Sequence, residues 1–355
     1  MGRPVVEKAK EALDPTSMRT ALRAIVRDRF GTSVAVQHMT AEPDGRSLIR
    51  YKLQMYELGR LRQSLWPWRI VGKVYATPAA GQCSFDAMRQ LWDSGFAHRS
   101  PVEVRIPEPY TYLSDLRLLL MEEVPGQPLK TLLKKQLAGP EHMRLLAMAM
   151  AKVHCFPLRF VAPFTIEDHL TIRCSALPEV LAEAFPALGH AIRWIVDTAK
   201  DIHNREGDEI FTLAHGDFHL GQVHLRNNVL WLLDLDPLHY GDPAYDVAMV
   251  FVALKQLEKQ TKQSAYIQAL RDAFVSAYFS LMDWQVARRV PLHEALIHLK
   301  RACKRFRWQD EPGWSDTIPL QIRQSVTCLQ AMQYSQAPQS LLDVVDLYER
   351  CPGTV

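Results

Sequence analysis

Little in the 355-residue chain marks it for export, a membrane or nucleic acid. Cysteine is scarce and scattered. Cys83, Cys155, Cys174, Cys303, Cys328 and Cys351 include no C-x-x-C pair and build no tight framework, so they read as reduced thiols of a cytoplasmic protein. The opening MGRPVVEKAKEALD has no apolar run, so no signal peptide is expected, and Val6 stands where a myristoylation signal requires Ser or Thr. The most apolar helix-like run, residues 145–156, is short and carries Lys152 and His154, which makes it a core helix rather than a membrane span. A formal net charge of +3 is too small to imply a nucleic-acid partner on its own. What remains is a globular chain, 48% hydrophobic and 23% charged, long enough for one large core or two lobes.

Chemistry concentrates in residues 215–246, HGDFHLGQVHLRNNVLWLLDLDPLHYGDPAYD. His215, Gly216 and Asp217 open a turn, Val229 to Leu233 form a short apolar run, and Asp234 leaves that run at its end. Phosphoryl transfer needs a carboxylate to orient or deprotonate the attacking hydroxyl, and oxygen ligands for Mg²⁺ beside the phosphates. Asp217, Gln222 and Asp234 supply groups of those kinds.

The segment resembles the aminoglycoside phosphotransferase and choline kinase family, whose loop reads H-G-D-x-x-x-x-N and whose strand ends in I-D-x-x-x-x-x-x-G-D-P-x-x-D. His215, Gly216, Asp217, Asp234, Gly241, Asp242, Pro243 and Asp246 match, and Gln222 stands in place of the Asn. Gln offers the same carbonyl oxygen on a stem one methylene longer. The resemblance implies that Asp217 is the catalytic base or hydroxyl-orienting residue and that Gln222 and Asp234 bind Mg²⁺. His215 braces the loop backbone. His219, His224 and His239 read as surface or packing residues, since two histidines and a carboxylate without a third dedicated ligand do not make a metallohydrolase. Asp236 shares the face of Asp234 if the strand continues. Asp242 and Asp246 are expected to cap and anchor the following helix.

Upstream, the apolar spacing predicts a leading helix over residues 5–30, capped at Thr16 or Ser17, and strands over 33–39, 48–56 and 70–75, with turns at 42–45 and 58–60. No G-x-G-x-x-G occurs there. Residues 44–47 are either a phosphate-covering turn, with the Ser47 hydroxyl facing phosphate, or an ordinary hairpin turn. Lys73, a lone cation on an apolar strand, resembles the kinase lysine that pairs with the α- and β-phosphates. The helix expected over 84–94 has no glutamate to hold it, which leaves Asp86 or Gln90, with Asp86 better placed. The apolar strand over 116–124 resembles the family's hinge, in which the Glu122 carbonyl and the Val124 amide would read the adenine edge. A helix over 141–154, broken helical pieces over 156–212 and a helical tail from 247 complete the pattern. The basic run over 298–308 reads as a solvated face or as a receiver for an anionic ligand.

These readings converge on an α+β, bilobal protein-kinase-like fold. Residues 1–124 would form a small β-sheet lobe for nucleotide, and residues 125–355 a larger helical lobe with the catalytic loop and acceptor site. The activity implied is Mg²⁺-dependent transfer of the γ-phosphate of ATP to a small-molecule hydroxyl, with no nucleic-acid or membrane partner. Only residues 235–245 separate Asp234 from Asp246, which leaves no peptide-docking segment and argues for a small acceptor. In residues 156–212 the acids Glu167, Asp168, Glu179, Glu183, Asp197 and Asp201 are interleaved with Arg173, Arg193 and Arg205, which favours a sugar or amino alcohol over a polycationic aminoglycoside. A catalytically impaired nucleotide-binding relative would explain Gln222 and the missing glutamate, but not Lys73, Asp217 and Asp234 retained together.

Overall fold

Described in a computed structural model are residues 3–45, 47–59, 64–97, 104–157, 163–175, 177–206, 211–309 and 312–334. They form two compact units, the first comprising Met1–Gln127 and His224–Asp236, the second Pro128–Val223 and Pro237–Val355.

Two helices lead the first unit where the spacing predicts one. Pro15 has no N–H and cannot continue α1 (Arg3–Leu13), yet it suits the first turn of α2 (Pro15–Phe30). The cap is Asp14 rather than Thr16 or Ser17. Its carboxylate accepts hydrogen bonds from the backbone N–H groups of Thr16 (3.1 Å) and Ser17 (3.2 Å).

Strands β1 (Val34–Asp44), β2 (Leu48–Glu57) and β3 (Trp66–Val74) follow, then helix α3 (Pro78–Leu91), β4 (Val104–Arg105), β5 (Pro109–Leu113) and β6 (Leu118–Glu122). Five of these strands form an antiparallel sheet in the order β1-β2-β3-β6-β5. Glu42, Pro43 and Asp44 belong to β1, so the first turn begins later than expected. Alternate side chains, among them Ile49, Tyr51, Leu53, Ile70, Val74, Leu118 and Leu120, share a core with Met18, Leu22, Ile25 and Val26 of α2. Each such buried aliphatic side chain contributes about 1.5–3 kcal/mol. The Tyr51 hydroxyl donates to the Ala12 carbonyl at 2.7 Å and so ties α1 to the sheet. Because strand side chains alternate, Lys73 and its cross-strand neighbour Leu119 lie on the opposite face.

Helix α3 starts six residues earlier than expected because Thr77 and Pro78 form a start signal, the Thr77 hydroxyl accepting from the Ala80 N–H at 3.2 Å. Strand Val229–Leu232 runs parallel to β4, with Leu230 opposite Val104, and this pairing brings the Asp234 segment into the first unit.

The second unit is mainly helical, with α4 (Leu129–Lys134), α5 (Pro140–His154), α6 (Ile166–Asp168), α7 (Pro178–Ala184), α8 (Pro186–Glu206), α9 (Ala244–Thr261), α10 (Ser264–Phe279), α11 (Gln285–Trp308) and α12 (Thr317–Tyr334). Pro178 and Pro186 open helices, which is why the spacing over 156–212 reads as broken. Leu181, Ile195, Leu292, Leu296, Ile318, Ile322 and Leu329 form one core. Strand Thr212–Ala214 pairs antiparallel with His239–Gly241, which sets the start of the His-Gly-Asp loop beside the segment that leads into α9. Among the described residues no helix is long and apolar enough to cross a membrane.

Candidate active site

In the first unit Lys73 meets two carboxylates. Its Nζ lies 2.6 Å from Asp234 Oδ1 and 2.7 Å from Asp236 Oδ2. Burial disfavours the ammonium, but Asp236 and Asp234 outweigh it and raise the lysine pKa above its ordinary value. Asp236 is fixed in turn by the hydroxyls of Tyr75 and Ser84, which both reach Oδ1 at 2.7 Å and lie 2.9 Å from each other. Burial, then the charge of Asp236, pushes the Tyr75 hydroxyl pKa up, so it stays a donor. Asp234 follows its strand with φ +56°, a left-handed conformation that Asp tolerates better than most residues.

The expected partner of Lys73 on α3 is corrected. Asp86 is exposed and accepts from Gln82 Nε2 at 2.8 Å. The α3 residue that faces the lysine's carboxylates is Ser84, two residues earlier and buried.

The other residues expected at the nucleotide lie on the same unit. Ser47 is in the turn between β1 and β2, and its carbonyl accepts from the Val74 N–H at 2.8 Å. β6 ends at Glu122, whose N–H donates to the Glu108 carbonyl (2.9 Å) and whose carboxylate accepts from the Glu108 N–H (3.2 Å). Val124 is half-buried in the connection beyond. Gly126 then passes strand Val223–Arg226 so closely that a Cβ would lie 2.5 Å from the Leu225 carbonyl oxygen.

In the second unit the His-Gly-Asp loop is gripped from beneath. Asp246, in the first turn of α9 and fully buried, accepts from the backbone N–H groups of His215 (2.7 Å) and Gly216 (2.9 Å). His154 Nε2 lies 3.2 Å from the same carboxylate, and the Tyr278 hydroxyl lies 2.7 Å from His154 Nδ1. A hydroxyl donated to Nδ1 directs the ring's N–H at Asp246. Burial opposes the charge, but the hydrogen bond from His154 and the surrounding imidazoles hold the Asp246 pKa at about 2. Asp246 therefore holds the loop rather than its own helix. The helix start belongs to Asp242, which accepts from the Ala244 N–H at 2.9 Å and binds Arg289 and His293 (2.8 Å).

Arg173 closes the loop from another side. Its guanidinium donates to the Gly216 carbonyl and lies 3.2 Å from His239 Nδ1, with Phe164 and Tyr245 each 4.7 Å from its centre. His239 is a buried packing residue, its pKa pushed down to about 4 by burial and then by Arg173. Gly216 has φ +78°, and a Cβ there would meet the Pro237 carbonyl oxygen at 2.5 Å. Gly216→Ala is expected to lower stability by about 1–3 kcal/mol, measured as a shift in urea midpoint, whereas an unshifted midpoint would show that the loop absorbs the methyl group.

Asp217 itself keeps 28% of its side chain exposed, with His219 Nε2 at 3.7 Å. His215 braces the loop, its ring nitrogen 3.4 Å from the Asp217 N–H. The carbonyl of His219 accepts from the Gln222 N–H at 2.8 Å and its ring Nδ1 from the Gly221 N–H at 3.1 Å, so the loop turns on His219 and delivers Gln222 into the next strand. Asp236 and Asp246 had local signals, one two residues past Asp234 and the other closing the G-D-P-x-x-D pattern. Ser84, His154 and Arg173 had none tied to these partners.

Residues 69–289 match the sequence model of the phosphotransferase enzyme family. No curated protein matches the chain in sequence. In structure the chain is similar to amicoumacin kinase in complex with AMP-PNP, Ca²⁺ and Ami, with TM-score 0.58 and 12% identity over 87% of this chain and 95% of that one. It is similar to choline kinase from Cryptosporidium parvum Iowa II, with TM-score 0.58 and 14% identity over 89% and 96%. It is also similar to ethanolamine kinase from Plasmodium vivax, with TM-score 0.55 and 13% identity over 92% and 94%. At such identities the likeness is one of fold, and it agrees with the kinase-like α+β class expected from the sequence.

Proposed function

This chain belongs to the phosphotransferase enzyme family, and on that premise we propose that it transfers the γ-phosphoryl group of ATP, with Mg²⁺, to a hydroxyl group of a small molecule. The observation that carries the proposal is the 2.6 Å pair of Lys73 and Asp234, a strand cation set against an acid at a strand exit. Lys73 is the candidate for the nucleotide phosphates, and the backbone of Glu122 and Val124 for the adenine edge. Asp217 orients the acceptor hydroxyl and takes its proton. Asp234 and Gln222 are the candidate metal residues. Both offer the hard oxygen donors that Mg²⁺ takes, and Asp234 keeps 32% of its side chain exposed despite its bond to Lys73. Bound Mg²⁺ would neutralise charge on the phosphate oxygens.

The acids expected near the acceptor are partly occupied. Glu179 receives Arg193 in a two-pronged pair (2.7 and 3.0 Å), Glu167 receives Lys200 at 2.8 Å, and Asp168 accepts from the Thr165 N–H at 2.8 Å. Glutamates already paired with a cation, as Glu179 and Glu167 are, attract a polycation weakly, which supports a sugar or amino alcohol over an aminoglycoside. The test is acceptor-dependent ADP formation with ATP and GTP across sugars, amino alcohols and aminoglycosides at two salt concentrations. Salt-sensitive turnover of aminoglycosides alone would overturn the acceptor assignment and leave the phosphotransferase reading in place. Absence of ADP formation with any acceptor would count against that reading itself.

The metal roles have their own check. Asp234→Ala should raise the Mg²⁺ concentration needed for half-maximal turnover by about ten-fold or more. Gln222→Asn, which keeps the carbonyl oxygen, should retain activity, and Gln222→Leu should not. Mg²⁺ titrations in which Asp234→Ala behaves as wild type would remove it from the metal site.

A further inference from the structure

Elsewhere in the first unit, a pocket of about 260 Å³ opens where α2 passes β1. Its floor is apolar. Leu22 belongs to the buried core, and Val36 and Met39 pack against that core from the edge strand. Its rim is basic, formed by Arg19 and Arg23, one turn apart on the exposed side of α2, with Gln37 and His38 facing them from β1. Neither guanidinium has a carboxylate partner among the described residues. By contrast, Arg29 pairs with Glu108, and Arg50 with Asp44 and Glu123.

The β1 side of the rim is shaped by a bulge. Val36 pairs with Met55 and His38 with Gln54, which leaves Gln37 as an extra residue without a cross-strand partner. Such a bulge turns side chains out of the regular alternation, and here it lies against the two arginines. Like charges four residues apart on a helix repel, and an anion between them removes that repulsion. The planar fork of a guanidinium matches carboxylate and phosphate oxygens. Lys73 lies on the other face of the same sheet, so this pocket is separate from the residues assigned to nucleotide.

We propose that this pocket binds a small organic anion, a carboxylate or phosphate monoester carried on a compact apolar body. The rim holds the charge and the floor takes the apolar part, the usual division of labour in a ligand pocket. Calorimetric titration of the full chain with phenyl phosphate, benzoate, inorganic phosphate and phenol tests it. One-to-one binding of phenyl phosphate or benzoate is expected, on the order of ten-fold tighter than inorganic phosphate or phenol, and weakened by salt. The arm that binds tighter, phenyl phosphate or benzoate, fixes which anionic group the site takes. Arg19→Gln with Arg23→Gln should weaken it by about ten-fold or more while leaving the circular dichroism spectrum and melting temperature unchanged, since both residues are exposed. Lys73→Met should leave it intact. Binding lost in Lys73→Met but kept in the double arginine variant, binding no tighter than that of inorganic phosphate, or no binding at all would each overturn the proposal.

Discussion

Asp217→Asn is expected to reduce turnover by about 100-fold or more while nucleotide affinity stays near that of the wild type. The substitution keeps the shape of the side chain and removes its capacity to accept a proton. Among the described residues, the hydrogen bonds that hold the loop backbone come from other side chains than Asp217. The backbone on the N-terminal side of Asp217 is fixed by Asp246 and Arg173, and the turn after it by His219. His219 Nε2, 3.7 Å from the carboxylate, is itself 41% exposed and gives it a solvated neighbour rather than a buried ion pair. The loss should therefore fall on kcat, with little change in the KM for ATP. Steady-state ADP formation, paired with calorimetric titration of the nucleotide, separates the two quantities. An Asn variant that turns over its acceptor at close to the wild-type rate would exclude Asp217 as base and would direct attention to His219.

How far the sequence discloses this site depends on how local the chemistry is. The loop, the apolar strand and Asp234 are contiguous, so spacing alone brings them to view, and Asp234 does leave its strand beside Lys73. The partner of that lysine escapes a sequence reading because the kinase pattern places a helix carboxylate there. Here the carboxylates come from Asp234 and Asp236, more than 150 residues downstream, and α3 contributes only the Ser84 hydroxyl. A serine on an amphipathic helix carries no distinguishing local signal. The break between α1 and α2 is marked by Asp14-Pro15, but the apolar spacing runs through both helices and masks it. The parallel pairing of Val229–Leu232 with β4 joins strands more than a hundred residues apart, one of them only two residues long, and no periodicity announces such a contact.

Asp246 shows most clearly what spacing leaves out, and its removal is expected to cost about 3–5 kcal/mol of stability. The residue reads as the first-turn acid of a helix, a role worth a fraction of that amount. In the fold its two oxygens accept from two loop amides and from His154, all inside protein with 0% of its surface exposed. Asp246→Ala leaves those donors without partners, and a buried donor stripped of its acceptor bears the full cost of desolvation. Asp246→Asn is also expected to destabilise, because its amide nitrogen would face a donor where the second oxygen accepts. The pH dependence follows from the pKa near 2, below the ordinary carboxylate value of about 3.9. A carboxyl held lower in the folded than in the unfolded chain contributes stability that is fully present above about pH 4 and is lost as the pH falls toward about 2. Urea unfolding at neutral pH and at a series of acid pH values should therefore show a lower midpoint for Asp246→Ala and a shallower loss of stability in that acid window than for the wild type. Equal midpoints with equal acid slopes would mean that the loop draws its support from elsewhere. A loop loosened in this way should also lose turnover even though Asp217 is untouched, because the backbone that Asp246 holds leads directly into Asp217, the residue proposed to take the proton.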